Sequence, residues 1–154
     1  MPKIILPLYW IVVIGEDEWE VIRKKNVYGV PETSRTRSPR KLIKPGDIII
    51  FYVKVKGSRY LGGKFVGAFK VVSNWYRESK PLWPSEVREG KVEYPWRIKL
   101  KPIKLGIADF KELISKLVFV EKKEKAHIYF AGTLANFGRP IPERDARIII
   151  ENLK

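Results

Sequence analysis

The sequence predicts an α+β domain built around a strongly curved sheet or small open barrel of about five to six strands, with helices at its periphery. Three observations predict it. Apolar runs rich in β-branched and aromatic residues recur at 8–14, 48–55 and 63–73, each bounded by Gly, Pro or polar turn residues. A two-residue alternation occupies 94–101, with Tyr94, Trp96, Ile98 and Leu100 on one side and Arg97, Lys99 and Lys101 on the other, a half-buried strand with a basic outer face. Helix-period segments lie between and after these runs, as peripheral helices of an α+β domain.

In chain order, LYWIVVI at 8–14 is a buried strand. After Gly15, EDEWE followed by VIRKK places acids first and bases last, as a helix dipole prefers, with Trp19, Val21 and Ile22 as its apolar stripe. VYGV at 27–30 is a short strand stopped by Pro31. Residues 33–46, TSRTRSPRKLIKPG, show neither period and read as an exposed loop. The KPGD turn at 44–47 launches the strand IIIFYVKV, and Gly57 to Gly63 closes a hairpin onto GKFVGAFKVVS. Residues 74–92 are irregular, with Trp75, Tyr76 and Trp83 among prolines and charges. A helix is expected from Ile107 with Asp109 as its N-cap, and a second from Pro142. No repeat, linker or second domain is visible, so residues 1–154 read as one domain.

Composition narrows the chemistry. The 154 residues carry 31 Lys and Arg against 17 Asp and Glu, a net charge of +14, with no cysteine and one histidine. Disulfide scaffolds and Cys-based zinc or redox sites are excluded, and His127 alone cannot furnish a histidine metal site or the usual catalytic triad. No segment approaches the roughly 20 apolar residues of a membrane span, and no signal peptide is visible, so a cytoplasmic protein without membrane association is expected. The absence of glutamine, the single methionine and the Lys/Glu bias suggest a thermophilic source.

The charge is not spread evenly. Residues 33–104 hold eighteen basic and five acidic side chains, or +13 of the total. Arg35, Arg37, Arg40 and Lys41 in the 33–46 segment have no acid beside them and are the candidate phosphate contacts. Trp75 and Trp83 have no strand or helix face to bury them, and binding residues concentrate in such segments. Paired carboxylates, a nucleophile with its base and a phosphate-cradling glycine loop are all missing from the pattern. A binding module with no catalytic residue, metal or cofactor is therefore expected, with an enzyme acting on a nucleotide or small anion through His127 as the contrasting class.

The blocks YWIVVI, NVYGVP, KPGDIIIFYV, GGKFVGAFKVVS, YPWRIKLKPIKLG and GRPIPERDARII, in this order, resemble the EVE domain family of PUA-like folds, related to YTH domains. The resemblance spans residues 8–153 and implies a curved mixed sheet around an aromatic pocket for a modified base. It implies binding of single-stranded RNA or DNA. The family's motif aromatic falls on Tyr28, where most relatives carry tryptophan; a second wall would come from Trp83 or Trp75, and Trp10 closes the floor or belongs to the core. The polar stretch that contacts the base edge in YTH domains would fall near residues 13–15, where no side chain is polar. A PUA-like RNA-binding protein with no preference for a modified base is the other reading.

Overall fold

The computed structural model describes residues 7–33 and 37–154. Along the chain run β1 (Tyr9–Ile14), α1 (Glu16–Lys25), β2 (Val27–Val30), α2 (Arg37–Leu42), β3 (Ile48–Val53), β4 (Lys64–Val71), β5 (Tyr76–Arg77), α3 (Pro84–Glu89), β6 (Trp96–Asp109), α4 (Phe110–Leu113) and α5 (Glu143–Glu151). Short 3-10 turns fill much of the chain between α4 and α5. The strands form one mixed sheet in the order β1-β3-β4-β6-β2, with β5 also on β6. β1 and β3 are parallel, and all other pairs are antiparallel. This is the curled α+β half-barrel with peripheral helices that the sequence predicts.

Curvature has a local cause. Register shifts interrupt β3–β4 at Phe51/Tyr52 and β4–β6 at Phe65/Gly67 and Ala68/Phe69. Each such irregularity bends the strand and increases its twist. The 14-residue β6 spans the bend: its first residues pair with β2 and β5, and the remainder pairs with β4.

Both faces of β1, β3 and β4 are covered, which is why these strands read as continuous apolar runs. On one face Ile11, Ile50, Tyr52 and Phe65 meet Phe110, Leu113, Ala146 and Ile149. On the other, Trp10, Ile49, Phe51, Val66 and Phe69 meet Trp19 and Ile22 of α1 and Tyr28 of β2. Burying each large apolar side chain contributes about 1.5–3 kcal/mol. The second glycine of GKFVG is a packing requirement: a Cβ on Gly67 would lie 3.0 Å from the Trp19, Phe69 and Leu105 side chains.

Four expectations change. The 33–46 segment is not simply a loop, because α2 occupies residues 37–42. It docks through Ile43, which is 2% exposed and whose carbonyl accepts from the Trp75 indole at 3.2 Å. The irregular stretch at 74–92 contains α3, started by Pro84 and ended by left-handed Gly90. The strand expected at 94–101 starts at Trp96 and runs on to Asp109, absorbing the start of the expected helix. Asp109 does cap α4, accepting from the Lys111 N–H at 3.0 Å, but the helix is a single turn. Finally, Arg97 is 4% exposed and is not part of an outer basic face.

Candidate functional site

A cleft of about 680 Å³ opens where three segments meet: the start of α1, the β3–β4 hairpin and the arm formed by residues 82–94. Gly15, Glu18, Lys54, Trp83, Arg88 and Tyr94 are among its lining residues. Each segment is held by a carboxylate that receives backbone N–H groups.

Glu16 fixes the hairpin. Its carboxylate accepts from the N–H groups of Arg59, Tyr60 and Leu61 at 2.8, 2.7 and 2.6 Å. Those bonds hold its pKa below the ordinary carboxylate range. The acids at the start of α1 thus do more than complement a helix dipole.

Glu86 fixes the arm. Fully buried, it accepts from Leu82 and Trp83 N–H at 2.9 and 3.0 Å through Oε1, and from Glu93 and Tyr94 N–H at 2.6 and 2.9 Å through Oε2. The Arg97 guanidinium lies 3.3 Å from Oε1 and also donates to the carbonyls of Tyr94 and Lys80. Burial opposes the charge on Glu86, yet the four N–H groups together outweigh it and hold the pKa below the ordinary range. One side chain therefore ties together both ends of the arm, including the backbones of the two aromatic wall residues.

The wall is a contact pair. Trp83 and Tyr94 have ring centroids 5.0 Å apart, tilted by 48°. The Arg97 guanidinium carbon stands 5.3 Å from the Trp83 ring centroid. Trp83 is buried, while Tyr94 is half-buried. Rings this close leave no space for a base between them, so a planar ligand would stack on the accessible ring, Tyr94, with Trp83 behind it.

Glu18 supplies the polar group. Its Oε1 accepts the Gly15 N–H at 3.2 Å, in the manner of a capping box. Burial pushes its pKa up; the Gly15 bond and Lys54 oppose the rise, and Asp17 adds to it. Behind it, deep burial and the negative fields of Glu18 and Tyr94 raise the Tyr28 hydroxyl well above its ordinary value.

The residues singled out by sequence are dispersed. Trp83 lines the cleft. Tyr28, 2% exposed, is in ring contact with Phe51 at 5.5 Å and Trp75 at 6.2 Å. Trp10, also 2% exposed, donates its indole N–H to Asp47 at 3.0 Å. Arg40 stacks over Trp96 at 4.8 Å, and Lys41 is exposed on α2. Of Arg37 only the backbone is described, within α2, and Arg35 lies outside the described residues. Among the described residues none that lines the cleft comes from 33–46, and the cations that line it are Lys54, Lys56 and Arg88. His127 lines a separate cavity of about 490 Å³ near Lys64 and Asp109. Among the described residues no group of three or more His, Cys, Asp or Glu could hold a metal ion, and no helix is long and apolar enough to cross a membrane.

Sequence reasoning missed Glu18, Lys54 and Tyr94. The signal for Glu18 was its position three residues after Gly15, and the same spacing relates Trp83 to Glu86.

Comparison with known proteins agrees with the fold. The EVE domain family model matches residues 8–152. The UPF0310 protein SSO2595 of Saccharolobus solfataricus is 42% identical over 146 residues, covering 95% of each chain. The UPF0310 protein PH1033 of Pyrococcus horikoshii is 38% identical over 144 residues, covering 92% of this chain and 95% of its own. Among solved structures, the Pho92 YTH domain in complex with m6A superposes with a TM-score of 0.58 at 14% identity, covering 98% of this chain and 90% of that one. A sheet of this topology and a family match across nearly the whole chain lead to one assignment: the chain belongs to the EVE domain family and has a YTH-like fold.

Proposed function

We propose that the protein is a nucleic-acid-binding module that takes one base of a single strand, RNA foremost, into the cleft between α1, the β3–β4 hairpin and the 82–94 arm. The observation that carries this reading is an aromatic wall, Tyr94 backed by Trp83, in one cleft with the polar Glu18 and the cations Lys54, Lys56 and Arg88. The YTH neighbour reported above is in complex with m6A, which supports a base as the ligand. No reaction is needed. The base leaves its stack and packs on Tyr94; such stacking contributes about 1–3 kcal/mol per base. Extrusion from a duplex costs a few kcal/mol, which favours single strands and loops.

The rim cations would contact the flanking phosphates and give a strong salt dependence, and the basic segment that includes Arg35, Arg37, Arg40 and Lys41 is a candidate for further phosphate contacts. Trp10 and Tyr28 belong to the hydrophobic core, and Trp75 packs against it. A methyl group on the base adds about 0.8 kcal/mol by burial, a preference of a few fold. Fluorescence anisotropy with short single strands, plain and methylated, at low salt tests the reading. Tyr94→Ala should weaken binding about tenfold, and Lys54→Glu should weaken it and flatten the salt slope. Equal binding by both variants would overturn it, and equal affinity for plain and methylated strands would leave a general single-strand binder.

A further inference from the structure

The cavity that His127 lines shares no lining residue with the cleft described above. It measures about 490 Å³ and lies between the end of the β3–β4 hairpin, the junction of β6 with α4 and the 3-10 segment Lys123–Phe130. That volume is in the range of small-molecule sites. One lining side chain is held firmly: Tyr52 is 6% exposed, its ring stacks on Phe130 with centroids 4.0 Å apart and planes 13° from parallel, and Phe65 and Phe110 meet it edge-on at 5.4 and 6.0 Å. Its hydroxyl stands beside Gly63, where an added Cβ would lie 3.9 Å from it, and makes no hydrogen bond among the described residues. A tyrosine buried to this degree ordinarily gives its O–H a partner. Asp109 is already engaged, through Oδ2 with the Lys64 ammonium at 3.4 Å and through Oδ1 with the Lys111 N–H at 3.0 Å. Burial, and then the negative field of Asp109, push the hydroxyl pKa up, so at neutral pH the group is a donor in want of an acceptor.

The surroundings define that acceptor. Phe110, Ile114 and Ala126 make part of the wall apolar. Lys64 is matched by Asp109, which leaves Lys111 and Lys123 against the single carboxylate of Glu124. Lys123 donates to the Leu117 carbonyl and also lines a neighbouring hollow of about 530 Å³, where Lys116 and Arg144 add two cations and no carboxylate is among the described lining residues. An ammonium has three donors, so the bond to Leu117 leaves Lys123 able to meet an anion. We propose that this cavity is a second ligand site, for a small organic anion, a carboxylate or a phosphate ester, whose apolar body lies against Phe110 and Ile114. One of its oxygens accepts from the Tyr52 hydroxyl, and its charge faces Lys111 and Lys123. A cation of the same shape meets the same lysines unfavourably, and a bare inorganic anion leaves the apolar wall uncovered.

The test is a titration of the protein with benzoate and with phenyl phosphate at pH 7, followed by backbone amide NMR shifts, with benzyl alcohol and benzylamine as neutral and cationic counterparts. At least one anion should give saturable shifts at Gly63, Lys111 and Ala126, and the tighter of the two identifies the head group. Benzyl alcohol and benzylamine should bind at least about tenfold more weakly. Tyr52→Phe keeps the stacked ring and removes only the donor, and it should weaken anion binding about tenfold. Lys111→Glu, at an exposed position, should weaken it as well, and carries the test should Tyr52→Phe fail to fold. Tyr94→Ala should leave the affinity unchanged, because the two cavities are separate. The proposal is overturned by the absence of saturable shifts at these amides, by benzyl alcohol or benzylamine binding as tightly as the anions, or by wild-type affinity in Tyr52→Phe or, in its place, Lys111→Glu.

Discussion

The Trp83 indole lies directly on Gly29: a Cβ built there would stand 2.4 Å from its nearest ring carbon. Gly29 belongs to the VYGV strand and Trp83 to the start of the arm 54 residues later, so the glycine of the motif lets the cleft wall seat on the sheet. Gly29→Ala must displace the indole or the strand, and overpacking of this kind costs about 1–3 kcal/mol. Urea unfolding should show a lower midpoint for Gly29→Ala than for Gly67→Ala, where the nearest contacts of the added carbon are 3.0 Å. Oligonucleotide affinity should fall with Gly29→Ala, because Trp83 supports Tyr94.

Glu86 should be the most sensitive position of the arm. Removing it as Glu86→Ala leaves Arg97, 4% exposed, without its carboxylate and leaves four N–H groups without an acceptor. Breaking a buried pair costs about 3–5 kcal/mol. Glu86→Gln turns an amide NH₂ toward two of the four donors and should lose most of the same stability. Denaturant unfolding of both variants against wild type checks this, and a loss under 1 kcal/mol for Glu86→Gln would contradict it.

Acid should act through the same residue. The folded-state pKa of Glu86 is depressed, so its stabilisation is present above the ordinary carboxylate value of 4.5 and is lost as pH falls through the folded value. The near-ultraviolet signal from Trp83 and Tyr94 should change in that acid window. In Glu86→Gln the step should be absent.

Trp10 is buried in the core, and its loss should be felt in stability. Its indole bonds to Asp47, which also accepts the N–H groups of Leu8 and Lys44 at 3.2 and 3.1 Å and is 7% exposed. Trp10→Phe leaves that carboxylate one donor short, at a cost of about 1–3 kcal/mol. Thermal unfolding should register the loss, whereas affinity for single strands should change less than twofold.

Much of the fold was legible because its information is local. Runs such as 8–14 and 48–53 are apolar throughout because both faces are buried, and KPGD and the 57–63 glycines mark the turns. The cleft was legible only in Trp83. Tyr94 fits the strand alternation and Glu18 fits the helix dipole, and nothing in a linear pattern shows that Glu86 draws residues 82–94 together beside them. Arg97 misled for the same reason: alternation assigned it to solvent, but the arm folds over that face and its carboxylate reaches the guanidinium. Charge density pointed to 33–46, where Arg40 is in contact with Trp96, while the cleft's cations are scattered through 54–88.

Glu18 should behave oppositely to Glu86. Its folded pKa is raised, so its contribution to stability is complete below the ordinary carboxylate value and is lost as pH rises through the folded value. At neutral pH the ionised, half-buried carboxylate then opposes folding, as ligand-binding groups often do. Glu18→Gln retains an acceptor for the Gly15 N–H and removes the charge. Its unfolding midpoint should therefore exceed that of the wild type at pH 7 and converge with it toward pH 4, where Glu18 is protonated in both folded and unfolded chains. Unfolding curves of the two proteins across that range give the result directly: a gap that stays constant with pH would mean the charge on Glu18 is not what destabilises the cleft.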